Sequence, residues 1–342
     1  MPAHSPLTPL TLRALRLLSD GQFRSGQQLA RSLGVSRTSV WQSLRHVEGT
    51  GVRLVRVHGH GYRLLESIDW LDAARIRQNL GACAEAFDVR VADVVDSTNT
   101  DLLAQAVAGA ADGRVLVAEF QARGRGRRGR AWYSGLGGAL TFSLLWRFEQ
   151  GAGVLAGLGP AVGVALVRAL RSLGVAEAMV KWPNDILVRH HKLAGTLVEI
   201  QGDVLGPSLA VVGVGLNCRL GEATRDQVDQ AVTDLAAEGV LVERNRVLAQ
   251  LLWHLADMRL AFSQGGFGPL RHEWESYHVY AERPVVLRLP DGGHEEGVVA
   301  GVAADGSLLL QTASGLRRFH SGEVSLRAAG TRALPSAAQR RG

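Results

Sequence analysis

The sequence predicts a multidomain α+β protein: a small helical module finished by a β-hairpin, then a mixed α/β domain, then a small all-β domain. Three observations carry that prediction. The chain has 342 residues, and at roughly 100–200 residues per domain this implies two or three domains. The apolar periodicity is helical at the amino end, alternates between short β-rich runs and helical stretches past residue 90, and becomes short strands alone from about Arg283. The charge is also unevenly placed. Residues 1–66 hold nine arginines against Asp20, Glu48 and Glu66, a surplus equal to the formal net charge of the whole chain, +6.

Within the first segment, Leu10, Leu12, Leu15, Leu17 and Leu18 form a broad apolar helical face, and Gly21 breaks it. Ser25 with Gln28 three residues on is a capping-box signal for a second helix, which Gly34 closes. Ser36 is positioned to cap a third helix running through Trp41, Leu44 and Val47. Val52–Val57 and Gly61–Leu65, joined by His58-Gly59-His60, read as a hairpin. Helix, glycine turn and helix followed by such a hairpin is the pattern of a winged helix-turn-helix. Its second helix would present Ser36, Arg37, Thr38, Ser39, Gln42 and Arg45 to base edges in a major groove. A protein-binding helical domain has the same pattern, but the local positive charge favours a polyanion as partner. The domain is placed at 1–66, and residues 67–90 read as a connector passing into helix.

The second segment, placed at 67–282, has strand patterns at Val115–Phe120, Leu140–Trp146, Val180, Ile186–Val188, Leu197–Ile200 and Leu209–Leu216, with a glycine-punctuated helix at Leu155–Leu173. Polar segments between these elements are where sites are usually built. Gly124–Arg130, followed by Trp132, combines three glycines with a dense run of arginines, a pattern suited to an anion that approaches the backbone closely. Alone it also fits an RNA-binding or disordered tract. Its brevity and flanking strands favour an ordered loop, and its spacing differs from a P-loop because no Gly-Lys-Ser/Thr ends it. The chain's only two lysines, Lys181 and Lys192, fall within twelve residues of each other amid 36 arginines, in Lys181-Trp-Pro-Asn-Asp185 and Lys192-Leu-Ala-Gly195. Where arginine serves everywhere else, a retained lysine marks a place for a compact ammonium. Asp96-Ser-Thr-Asn99 offers short hydrogen-bonding side chains at a strand-to-helix junction, and reads equally as a simple helix cap. Gly213-Val-Gly-Leu-Asn217 is a strand end with one useful amide.

From Arg283, Val285–Leu289, Gly297–Val302, Ser307–Gln311 and Leu316–His320 are short strands separated by Asp291-Gly-Gly and Asp305-Gly turns. A small SH3-like barrel at 283–328 fits them, with a disordered Ala/Ser/Gln/Arg tail at 329–342. Cys83 and Cys218 make neither a disulfide framework nor a metal-ligand spacing, so no metal site is expected. No apolar run is expected to reach the roughly 18 residues of a membrane helix, and no secretion signal is read at the start, so a cytoplasmic protein without a membrane partner is expected.

In combination, Asp96–Asn99, Gly124–Arg130 with Trp132, Lys181–Asp185, Lys192–Gly195 and Gly215–Asn217 resemble the biotin protein ligases. With the winged-helix front end, the chain resembles the bifunctional biotin operon repressors over nearly its whole length, excluding the first few residues and the tail after about Arg327. The resemblance implies activation of biotin with ATP and Mg²⁺ to biotinyl-5′-AMP, then transfer to a lysine of a biotin carboxyl-carrier protein. It also implies operator binding, with a homodimer when the adenylate is bound. Residue by residue, it implies that Ser97, Thr98 and Asn99 meet the ureido ring. Gln121, Arg125, Gly126 and Arg127 would line the biotin and adenylate site. Lys192 would stand at the biotin carboxylate with Gly195 close by, and Asp185 near the acceptor lysine, with Arg125 also counted among the catalytic groups. Lys181 and Arg130 would help at the nucleotide phosphates. A ligand-sensing transcription factor without ligase activity, and a lipoate-ligase-like or octanoyl acyl transferase, remain the alternatives.

Overall fold

The first helix, α1 (Pro9–Leu17), starts where Thr8 caps it and Pro9 sets its first turn. The computed structural model describes residues 7–45, 47–203, 205–289, 293–320 and 325–328; the expected tail at 329–342 and most of the Asp291-Gly-Gly turn lie outside them. Helix α2 (Gly26–Leu33) has the reciprocal Ser25–Gln28 capping box and closes at left-handed Gly34, φ 69°. Helix α3 (Arg37–Leu44) is capped by Ser36 and ends earlier than its apolar pattern suggests, because Val47 enters the core from a separate 3₁₀ turn, Val47–Thr50. Strands β1 (Leu54–Val57) and β2 (Gly61–Leu64) pair antiparallel as the wing. The backbone of Arg24 joins their edge through two 2.9 Å hydrogen bonds with Tyr62. Gly61, at φ 102°, permits that approach: a Cβ there would lie 2.2 Å from the Arg24 carbonyl oxygen.

The connector passes into helix, as its sequence pattern predicts. It contains α4 (Ala73–Leu80) and leads into β3 (Asp88–Val95), followed by α5 (Thr98–Val107), β4 (Arg114–Gln121), β5 (Ala139–Phe148) and α6 (Leu158–Ser172). After β6 (Met179–Lys181), β7 (Asp185–Val188), β8 (His191–Gly202) and β9 (Ser208–Asn217) come α7 (Glu222–Arg225), α8 (Arg244–Gly265) and α9 (Arg271–Tyr277). The strands form one sheet in the order β3-β4-β5-β9-β8-β7-β6, parallel at β3–β4 and antiparallel elsewhere.

Alternation along the central strands divides the sheet's two faces. Leu140, Phe142, Leu144 and Trp146 of β5, with Ala210, Val212, Val214 and Leu216 of β9, join the main core with α4, α6, α8 and α9. The odd-numbered residues face the other way, where Leu145 and Val211 pack under Leu102 and Ala106 of α5. The segment Ala152–Ser172, with mean hydropathy 1.8, is long and apolar enough to cross a membrane, contrary to the expectation. However, 72% of its apolar window is buried inside the fold, where α6 is the central core helix.

The remaining strands, β10 (Pro284–Arg288), β11 (His294–Val302), β12 (Leu308–Thr312), β13 (Gly315–Phe319) and β14 (Ser325–Ala328), make a sheet ordered β13-β12-β11-β10-β14. Among the described residues β13 and β14 do not pair. Among the described residues the C-terminal strands therefore make a five-stranded antiparallel sheet in which no pairing closes the expected SH3-like barrel.

The front end is not loosely tethered. Leu136, from the segment after Trp132, sits in the winged-helix core, with Ile68, Trp70, Val94 and Phe120 packed against it. The Leu136 amide donates to the Thr50 carbonyl at 2.9 Å. The Trp70 indole donates to the Ser19 hydroxyl at 2.6 Å, tying the connector to α1. On its other side the connector is clamped by a buried ion pair: Arg244 donates to Glu119 at 2.7 Å and to the Asp69 carbonyl, while the Leu71 amide donates to Glu119 at 2.6 Å.

One buried group predicts a pH dependence. His278 follows α9 and stacks on Trp274, centroids 4.6 Å apart, with neither ring nitrogen hydrogen-bonded among the described residues. Burial pushes its imidazole down to about 3, so the folded protein holds it neutral. Below about pH 6.5 the unfolded chain takes up a proton that the folded chain does not. Stability from this residue is therefore full above about pH 6.5 and falls as pH drops toward 3, by about 2–3 kcal/mol at pH 4.5. Urea unfolding of His278→Phe should show a smaller loss between pH 7.5 and 4.5 than the parent; equal losses would contradict this.

Candidate active site

The site is built on the sheet face opposite the main core. Strand register brings Thr141, Gly215, Gly195 and Asp185 into one row across β5, β9, β8 and β7, with Ser143, Gly213 and Leu197 in a parallel row beside it. The glycines leave a trough in the sheet, and Trp132 lies in it. A Cβ on Gly215 would meet the Trp132 ring at 2.4 Å, and one on Gly195 would stand 3.1 Å from the Lys192 side chain. The Gly/Arg loop is ordered by its own backbone. Gly126 donates to Arg130 at 2.7 Å, Trp132 donates to Gly124 at 2.8 Å, and Arg125 bridges to Ala131.

Between loop and trough is a cavity of about 430 Å³. Ser97, Thr98, Asn99, Gln121, Arg125, Gly126, Arg127, Arg130, Lys181, Asp185, Lys192 and Gly195 all line it. One end is lined by the uncharged side chains of Ser97, Thr98, Asn99 and Gln121 and is tightly hydrogen-bonded. Gln121 Oε1 accepts from the Thr98 amide at 2.8 Å and from its hydroxyl at 3.1 Å, and Ser143 Oγ stands 2.8 Å from Thr98 Oγ1 and 2.5 Å from Asn99 Oδ1. Asn99 Nδ2 donates to the Leu197 carbonyl at 3.1 Å and to Glu199 at 2.8 Å. Ser97, Thr98 and Asn99 are all buried. The Asp96–Asn99 run is thus more than a helix cap, since Ser97 makes no capping bond to α5.

The other end is cationic. Lys192 Nζ meets Asp185 Oδ1 at 2.6 Å and lies 5.5 Å from the Trp132 ring centroid. Arg127 donates to Asn184 at 3.4 Å, and burial, partly offset by Asp185, lowers its guanidinium from the usual value. Lys192 is fixed through its backbone: its amide donates to Ala231 at 2.9 Å, and Thr233 donates back to its carbonyl at 3.0 Å. This brings Gln227–Gln230 and Val232 onto the cavity wall. Neither that segment, Ser143 nor Glu199 is marked by any motif. Their only sequence signal is the strand alternation that puts Ser143 and Glu199 on the site face.

On the front end, Arg37, Thr38, Gln42 and Arg45 are exposed and Ser39 is half-buried. Ser36 is exposed too, but its hydroxyl caps α3 by accepting from the Ser39 amide at 3.0 Å. Trp41, exposed beside them, has the Arg45 guanidinium 5.6 Å from its ring centroid.

Fold and cavity define a class: an α/β body with a Gly/Arg-loop cavity that carries a winged-helix module. Family models place the chain within it. Residues 91–217 match the biotin/lipoate A/B protein ligase family, 281–327 the biotin protein ligase C-terminal domain, and 11–63 a helix-turn-helix domain. The chain is 37% identical over 323 residues to a bifunctional ligase/repressor BirA of Salmonella typhimurium, covering 94% of this chain and 98% of that one. It is 36% identical to the Escherichia coli K12 protein of the same name, covering 93% and 97%. Its fold matches the biotin protein ligase of Aquifex aeolicus in complex with biotin and ATP, at 28% identity and a TM-score of 0.60 over 71% of this chain and 99% of that one. The chain belongs to the biotin/lipoate A/B protein ligase family.

Proposed function

We propose that this chain activates biotin with ATP to biotinyl-5′-AMP and transfers the biotin to a specific lysine of the biotin carboxyl-carrier protein of acetyl-CoA carboxylase. The observation that carries this reading is the single cavity that gathers an uncharged hydrogen-bonding end, a Gly/Arg loop and Lys192. Biotin's ureido ring suits the Ser97–Asn99 and Gln121 end, and its carboxylate points toward Lys192. A carboxylate oxygen attacks the α-phosphorus of ATP as the bond to diphosphate breaks, and Lys192 with the loop arginines stabilises the charge that develops. Lys181 and Arg130 serve the phosphates. The acceptor amine then attacks the acyl carbon, AMP departs, and the amine proton passes to Asp185. Asp185 is released from Lys192 once that ammonium turns to the adenylate. A closed loop shields the labile adenylate from water.

In this reading Mg²⁺ enters with the ATP phosphates, its usual partners. A thiol-based acyl transferase is disfavoured. Burial pushes the Cys218 thiol up to about 12, and Cys83 does not line the cavity. Biotin-dependent exchange of labelled diphosphate into ATP tests the first half-reaction; its absence in the full chain would leave a ligand sensor.

The second part of the reading is a cytoplasmic repressor of biotin genes that binds operator DNA as a dimer when biotinyl-5′-AMP is present. One winged helix contacts one half-site, so affinity for a palindrome depends on dimerisation, and a ligand that promotes dimerisation is itself bound more tightly by the dimer. The domain limits 1–66, 67–282 and 283–328 belong to this reading, as does a small SH3-like C-terminal domain. In a gel-shift titration at fixed salt, the adenylate should strengthen operator binding; equal affinity with and without it would leave a constitutive DNA-binding domain.

The sequence alone suggests that removing residues 1–66 spares ligation, because no cavity residue lies there. The contact at Leu136 changes that expectation. Truncation uncovers a leucine four residues beyond Trp132, and regaining its burial is worth about 1.5–3 kcal/mol. Calorimetry should find biotin bound roughly 10-fold more weakly by the truncated chain; unchanged affinity would show that the front end does not support the site.

A further inference from the structure

Two cations face the cavity with a carboxylate already on each. Lys192 has Asp185, within the recognised motifs. Arg125 has Glu199, which belongs to none of them: Arg125 Nη2 lies 3.0 and 3.2 Å from the two Glu199 carboxylate oxygens. Glu199 also accepts from the buried Asn99 amide at 2.8 Å. That bond fixes the carboxylate from below, on a central strand, while Arg125 comes to it from a loop. The loop does not need this contact for its shape, since its backbone bonds at Gly124, Gly126 and Arg130 close it independently. What the pair does is occupy the guanidinium.

The geometry points to Glu199 as an internal counter-ion and specificity residue: it holds Arg125 against simple anions, and yields it to a ligand that also fills the rest of the cavity. The inference rests on the ligase reading for its ligand and on the structure alone for the ion pair. A free phosphate or diphosphate must displace Glu199 from Arg125 without the contacts that an attached, seated ring would add. An adenylate attached to a seated ring makes further contacts that offset the exchange, so the carboxylate discriminates by what the anion is attached to. Diphosphate is itself the first product, so the same competition favours its departure.

The variant is Glu199→Gln, because the amide oxygen still accepts from Asn99 and the shape is kept, while the hold on Arg125 is weakened. The probe is inorganic diphosphate, titrated into the ligand-free full chain with Trp132-sensitive fluorescence or calorimetry as readout. This readout is independent of turnover, so its outcome is separable from that of the biotin-dependent exchange assay. Exposed ion pairs contribute modestly, so Glu199→Gln should bind diphosphate about two- to fivefold more tightly than the parent. In an Arg125→Ala background the same substitution should have no such effect, because the competed partner is gone. Biotin affinity should not change in Glu199→Gln, since Asn99 keeps its acceptor. Diphosphate binding that is unchanged or weaker in Glu199→Gln would overturn the proposal. So would equal tightening in the Arg125→Ala background, which would reduce Glu199 to one distant negative charge among others, and so would weakened biotin binding, which would make it a structural support of Asn99.

Discussion

Lys192→Arg is expected to slow formation of biotinyl-5′-AMP by about 100-fold in a single turnover, although the positive charge is kept. The reason is space. Lys192 lies between the Trp132 ring and Asp185, and its Cε and Nζ already occupy the region 3.1 Å from where a Cβ on Gly195 would be. A planar guanidinium is wider than an ammonium and would have to push Trp132 out of its glycine trough or break the pairing with Asp185. Near-normal adenylate formation in this variant would remove Lys192 from its place at the reacting carboxylate. Replacing Arg123, exposed beyond the cavity lining, with Lys is the control for arginine chemistry in general and should leave the rate unchanged.

The second large effect concerns stability. Arg244→Met strands the Glu119 carboxylate, which is wholly buried, and is expected to cost about 3–5 kcal/mol in denaturant unfolding. Adding Glu119→Gln should recover part of that loss, because the neutral amide still offers an oxygen to the Leu71 amide and no longer needs a cation. A loss below about 1 kcal/mol for the single variant would mean that water reaches Glu119 and the pair is not an internal one. Because Arg244 also holds the Asp69 carbonyl, the damage should extend to the connector that positions the winged helix.

How much of this was legible depended on how local each interaction is. The helix starts at Ser25 and Ser36 were readable because a capping residue and its partner lie three positions apart. Eleven of the twelve cavity residues expected from the sequence stand in short motifs, Gln121 being implied by the resemblance alone, and the scarcity of lysine marked Lys192. The pairing of Lys192 with Asp185 was not, because it depends on which residues face one another across the β7–β8 hairpin, whose register shifts between Ile186 and Leu187. Glu199 and Ser143 stand in strands whose alternation gives a face but no role. Strand β3 and helix α8 were missed. The partly exposed pattern of β3 resembles a connector, and Trp253 and Leu260, exposed on α8, blur its apolar stripe. The order of the C-terminal sheet was beyond reach as well: the strand pattern shows where strands are and leaves unsaid which of them pair.

The central claim, an ATP-dependent biotin ligase in this cavity, is tested most directly by the mass of an acceptor. The full chain is incubated with biotin, Mg²⁺-ATP and a biotin carboxyl-carrier domain, and the carrier is weighed intact and then as peptides. The account predicts one added biotin, on one lysine, dependent on ATP and reduced with Lys192→Arg. A carrier that stays unmodified while the parent chain is folded and binds biotin would contradict it.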